Sequence, residues 1–366
     1  MTASPRTEVL PRTETRIGFV DVARGIAIWS IVLGHQGISG INRVVFTFHV
    51  PIFFLFAGCF FKEEAILDVF LKKNVRALLR PYFIASVALL VFGTAFHVLG
   101  SGTRGLYSEL AGRLTAPFFG LGGRFPFPFG LAVPGLGQYM PAIGAIWFLL
   151  ALFWSLVCMR GILRFRGVWQ PLAVFCLFEI GIRSSRFFWL PWSIQPGLCA
   201  LLFVYVGYLA KPILDVQSMT QETRGMLFLF GLCLWWCFIR DFNGFYLVRC
   251  YFGRGFADIA CSLAACWCVI EVSRFIDMRF PRIASILRFF GRYSLIVLCV
   301  HVVELHSWAP VWRKIGHALG MCGVPLSWAK FLVIATKISA IAAVTVMISR
   351  IRWASVKHPC QPGVKV

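Results

Sequence analysis

The chain has 366 residues, of which 59% are hydrophobic and 14% charged, with a mean hydropathy of +0.78, a composition that excludes an ordinary soluble domain. Its net charge of +21 is dispersed between apolar runs and not gathered on a basic domain, so no nucleic-acid partner is implied. The expected class is all-α, a polytopic integral membrane protein whose cations orient it in the bilayer.

Residues 1–17 form a polar tail in which Glu8 and Glu14 accompany Arg6, Arg12 and Arg16. The apolar run that follows has no small-residue cleavage site, so it reads as a retained span and not as a signal peptide. Runs near the ~20 residues a bilayer requires lie at about 18–40, 46–61, 82–100, 143–160, 169–182, 196–211, 225–240, 255–273, 294–310 and 329–349. They predict about ten spans in an embedded domain at 18–350, the second, fifth and sixth short enough to be tilted or broken. A second tail follows at 351–366. Placing both termini in the cytoplasm puts cations on the inner side by roughly two to one, as the positive-inside rule asks.

The first span holds a pair of ionisable residues, Arg24 and His35, each costly at membrane depth, besides Asp21. Their offset of eleven is about three helical turns, so they share a face roughly 16 Å apart along the axis. Asp21, three residues before Arg24, is placed to pair with it. The longest irregular stretch, 101–142, is rich in Gly, Pro and Phe and falls outside the membrane on this topology, as a lid or an interfacial re-entrant segment. Most of the thirteen cysteines sit in apolar spans as small core residues, with Cys250 and Cys322 the one pair placed to meet on the outer side. His35, His49, His301, Glu304 and His306 converge on the outer half of the membrane. His97, His317 and His358 lie at span ends or in tails.

Arg24 and His35, the segment VVFTFHVPIFFLFAGCFF (Val44 to Phe61), AIWFLLALF (Ala145 to Phe153) and GRYSLIVLCVH (Gly291 to His301) together resemble, in order, the membrane-bound acyltransferase 3 family. The opening Val-Asp-x-Ala-Arg-Gly (Val20 to Gly25) is most similar to its fucose O-acetylase branch. The resemblance implies an inner-membrane O-acetyltransferase that uses acetyl-CoA and acts on a carbohydrate or lipid-linked glycan, such as an exopolysaccharide, a capsule or a nodulation lipochitooligosaccharide.

That chemistry needs a base near neutral pH, because a sugar hydroxyl is a poor nucleophile, and His35 is the side chain matched to the task. His49 would orient the acceptor or stabilise the oxyanion, two roles the sequence does not separate, and a covalent acyl-His intermediate is a variant of the same assignment. Arg24 in the inner half would meet the phosphates of coenzyme A. His301 and Glu304 are placed on the substrate side of the pocket, although Glu304 and His306 also suit a helix-to-helix hydrogen bond. A three-histidine metal site at His35, His49 and His301 lacks sequence-close ligand spacing, so no metal is expected. A multi-span transporter of a small solute or glycan is the competing class.

Overall fold

An apolar chain can satisfy its backbone away from water only through internal hydrogen bonds, and helix does this locally. The computed structural model describes residues 17–64, 66–214 and 219–356. Of the tails predicted at 1–17 and 351–366, residues 1–16 and 357–366 lie outside them. The chain opens with α1 (Gly18–Gly34), a short α2 (Ser39–Val45) and α3 (Pro51–Cys59). Next, α4 (Leu67–Asn74) runs through a π-helical turn into α5 (Arg80–Ser101), followed by α6 (Leu106–Phe119). Then come α7 (Trp147–Ile162), α8 (Trp169–Ser184), α9 (Ile194–Leu209), α10 (Gln221–Arg240) and α11 (Phe256–Arg279). The fold ends with α12 (Pro281–Arg292), α13 (Ser294–Ser307), α14 (Ala309–Met321) and α15 (Leu326–Val356), which carries on past the boundary expected at 350. Strand is confined to two short antiparallel pairs, β1 (Phe125–Pro126) with β2 (Tyr139–Met140) and β3 (Phe245–Tyr246) with β4 (Tyr251–Phe252).

Among the described residues five helical segments are long and apolar enough to cross a membrane, at 67–100, 144–162, 221–240, 256–279 and 326–351. A sixth arises if α12 and α13, bent by 71° at their junction, count as one. This is fewer than the ten runs in the sequence suggest. The run at 46–61 yields only the nine-residue α3, about 14 Å long and half the hydrocarbon thickness. Hydropathy detects apolar residues whether they face lipid or protein, and Ile52, Phe54 and Phe56 of α3 are wholly buried in protein. Of the shorter apolar helices, α3 and α9 are thus inner elements of the bundle, whereas α8 keeps many of its apolar side chains exposed.

Close packing of small residues holds the inner elements together, as expected where the hydrophobic effect gives helices little reason to associate. Gly58 of α3 lies against the Val204 carbonyl of α9, and Gly207 of α9 against the Leu55 carbonyl of α3, so near that any side chain at either site would overlap backbone. Gly25 of α1 and Gly291 of α12 make the same reciprocal contact with Leu287 and Asp21. Arg292 of α12 then donates to Asp21 at 3.2 Å, closing that interface with an ion pair.

The 101–142 segment is more ordered than its composition suggests. It contains α6 and the β1–β2 pair, with Phe125 opposite Met140. The end of α6 is pinned to the bundle where Tyr82 Oη donates to the Pro117 carbonyl at 2.8 Å and Ser193 Oγ to the Gly120 carbonyl at 2.6 Å. Gly112 and Pro117 hide this helix from a pattern search, since both are poor helix formers. Cys250 and Cys322, the pair placed to meet, are both free thiols, Cys250 buried and Cys322 exposed.

Candidate active site

Gly34 ends α1 and leaves His35 as its C-terminal cap. The His35 ring turns back along the helix and Nδ1 lies 2.8 Å from the Ile31 carbonyl. His49 repeats the arrangement, its Nδ1 being 2.5 Å from the Val45 carbonyl. A carbonyl only accepts, so each Nδ1 carries the hydrogen and each Nε2 keeps its lone pair. Both rings are therefore fixed in the tautomer a proton acceptor requires.

The turn that carries His49 is held from two helices. Ser262 Oγ of α11 donates to the Thr47 carbonyl at 2.6 Å, and Trp235 Nε1 of α10 donates to Thr47 Oγ1 at 2.8 Å. Pro51, at the first position of α3, starts the next helix where its missing N–H costs nothing. The His-x-Pro spacing thus sets a histidine at the mouth of a helix that the glycine contacts anchor.

His35 and His49 line one cavity of about 260 Å³, together with Trp147, Phe148, Tyr246 and His306. Behind it lies a buried polar row. The His301 ring, wholly buried, is 5.2 Å from the His35 ring between centroids. Its Nδ1 is 3.4 Å from Glu304 Oε2, and Glu304 Oε1 is 3.9 Å from Lys337 Nζ. Lys337 in turn donates to Gln36 Oε1 at 3.4 Å. Neither ring nitrogen of His301 nor either oxygen of Glu304 makes a well-aligned hydrogen bond, so the tie between α13 and α15 is the ion pair of Glu304 with Lys337.

Arg24 lies on the same helix at the other depth. Its guanidinium stands over the Phe56 and Phe60 rings at 5.7 and 5.8 Å, at the C-terminal end of α3. His35 and His49 meet at the N-terminal end of α3, so Arg24 and the capping His35 of α1 mark the two ends of one helix seam. Asp21, expected beside Arg24, is engaged across the α1–α12 interface by Arg292.

Of the residues singled out in the sequence, His35 and His49 face one cavity, while His301 and Glu304 stand behind it and Arg24 is remote from it. His306 is better placed than its sequence reading, since it is exposed to the cavity and not tied into a helix-to-helix bond. Lys337 was missed as a site residue although the signal was present: a lone cation within an apolar span. Tyr246 and Trp147 carried no signal of their own. Among the described residues no group of three or more His, Cys, Asp or Glu side chains is arranged to hold a metal ion.

Fold and site define a multi-pass membrane protein with an internal cavity lined by histidines. The model of the acyltransferase domain, acyltransferase 3, matches residues 17–348, nearly the whole chain, and the protein belongs to that family of acyl-transfer enzymes. No curated protein and no solved structure matches it significantly.

Proposed function

We propose that the protein transfers an acetyl group from acetyl-CoA to a hydroxyl of a carbohydrate, on an exopolysaccharide, a capsule or a lipid-linked or nodulation-type oligosaccharide, from the bacterial inner membrane with both termini in the cytoplasm. The observation that carries the reading is the pair of cavity-lining histidines, each with Nδ1 committed to a main-chain carbonyl and Nε2 left as a base.

In this reading His35 Nε2 takes the proton of the acceptor hydroxyl as its oxygen attacks the thioester carbonyl carbon. The tetrahedral intermediate collapses, the C–S bond breaks, and the thiolate of coenzyme A leaves with that proton, giving an ester and free thiol. His35 is favoured over His49 because its ring lies beside His301, which Glu304 backs at 3.4 Å, a polar row that His49 lacks. Neutral His49, with its one N–H occupied, can only accept at Nε2, which suits orienting the acceptor hydroxyl better than holding an oxyanion. Arg24, at the inner end of the seam, would meet the phosphates of the donor, whose slender arm would run outward along α1 and α3.

Comparing surface and secreted glycans by mass spectrometry, with and without the gene, tests the reading. Loss of one acetyl increment from a defined sugar is expected. If every glycan keeps its acetyl groups while a small solute fails to cross the membrane, the protein is a transporter instead.

A further inference from the structure

The cavity at His35 is too small for the reaction assigned to it. At about 260 Å³ it falls below the roughly 300–1,000 Å³ that house one drug-sized ligand, yet two substrates must meet there. It holds a thioester end and one hydroxyl. The rest of the acceptor needs a second compartment in contact with the first.

Such a compartment adjoins it. A chamber of about 520 Å³ lies between α6 and the strand β2 region and shares His306 with the histidine cavity. Two other large cavities among the described residues, at Arg249 beside α8 and at Arg224 beside α10, share no residue with it. The adjoining chamber is markedly polar, lined by Ser108, Glu109, Arg113, Arg124 and Tyr139. Arg113 is already held by Glu109 at 2.6 Å and by the Leu89 carbonyl at 3.2 Å, and so forms a fixed wall. Arg124 is exposed and has no ion pair among the described residues, which leaves its donors for a ligand. His306 stands at the threshold, its ring packed over Gly144, whose φ of +76° and lack of a side chain admit it.

We propose that this outer chamber is the acceptor site, that it takes a polyhydroxylated sugar, and that His306 positions the reacting hydroxyl as it passes inward to His35. This rests on the acetyl-transfer reading above and gives that reaction a separate seat for each substrate. A sugar suits the lining because alternating donors and acceptors on Ser108, Glu109, Arg124 and Tyr139 match a ring of hydroxyls, whereas the inner cavity, walled by Trp147, Phe148 and Tyr246, suits the apolar arm of a thioester.

Gly112 lines the chamber from α6, and a Cβ added there meets nothing within 4 Å, so Gly112→Phe is the substitution chosen to put a ring into the chamber from a position with room at its base. The acceptor probe is the host's surface polysaccharide stripped of acetyl by mild alkali. Gly112→Phe should raise the KM for this polysaccharide at least tenfold and leave the KM for acetyl-CoA unchanged, while Gly161→Phe, at an exposed open site on α7, should behave as wild type. An unchanged acceptor KM, or an equal rise in both, overturns the chamber assignment. The stripped polysaccharide should also slow maleimide addition to Ser108→Cys, read by peptide mass, and absence of protection overturns the assignment whether or not turnover occurs. Wild-type protein that binds the polysaccharide but never acetylates it would instead sink the acetyl-transfer reading.

Discussion

Removing the His35 ring should abolish turnover without unfolding the protein, and the two effects differ enough in size to be separated. A general base contributes on the order of 10² to 10⁴ in rate, or about 2.7–5.5 kcal/mol at 1.36 kcal/mol per decade. The structural contribution of the side chain is one part-buried bond from Nδ1 to the Ile31 carbonyl, worth about 0.5–1.5 kcal/mol. Since α1 is anchored independently by the Gly25 and Gly291 contacts with α12, that loss moves the melting temperature by a few degrees at most. A second variant isolates the chemistry. His35→Gln can keep the cap bond, because the neighbouring Gln36 already donates its amide to the Val32 carbonyl at 2.9 Å, yet an amide nitrogen is no base. Both His35→Ala and His35→Gln should therefore lose two to four decades of acetyl transfer from radiolabelled acetyl-CoA in purified protein, with nearly wild-type melting. Retention of more than about half the wild-type rate by either variant would refute the assignment of the base.

Arg24→Ala should raise the KM for acetyl-CoA more than that for the acceptor, and Arg24→Lys should recover only part of the loss, since a point charge replaces a planar fork. Equal and unchanged donor affinity in both variants would make Arg24 a packing residue of the α1–α3 seam. If both termini are cytoplasmic, cysteines at the exposed positions Thr103 and Leu131 should react with an impermeant maleimide from outside intact cells, measured by peptide mass. Reaction only after the inner side is opened would reverse the topology. Gly207→Val should destabilise the fold by about 1–3 kcal/mol or more through overlap with the Leu55 carbonyl, and unchanged thermal unfolding in detergent would show that α3 and α9 pack less tightly than described.

The sequence discloses which ionisable residues gather at the candidate site more fully than it discloses the spans. Arg24, His35 and His49 are legible because a charge or imidazole in an apolar run has few structural uses, and the eleven-residue offset maps onto both ends of one seam. The number of spans is not legible in the same way. A window of apolar residues reads alike whether its side chains face out of the bundle, as those of α10 largely do, or meet protein, as those of α3 do. The glycines that settle the matter, Gly58 and Gly207, are informative only once it is known that α3 and α9 touch. Partners far apart in sequence are lost for the same reason: nothing local in Asp21 points to Arg292, 271 residues on, while the nearby Arg24 offers a partner three residues away.

Lys337 shows how a single residue can be read correctly for one purpose and missed for another. In the tally of inner and outer cations it counts for neither side, because it falls inside the last span. Inside the fold that is the reason it matters. A lysine at membrane depth must find a counter-charge or lose its own, and Glu304 at 3.9 Å supplies one while Gln36 accepts a hydrogen bond at 3.4 Å. Glu304 is likewise costly alone, with His301 on its other side at 3.4 Å. Each group in the row makes its neighbour's burial tolerable, so the row draws α15, α13 and the end of α1 into one unit. The ring of His35 sits at the open end of that unit, against His301 and beside the cavity. A proton taken there is received beside His301, which Glu304 backs at 3.4 Å with Lys337 of α15 on its far side, so the polar groups behind the cavity are in place before any substrate arrives.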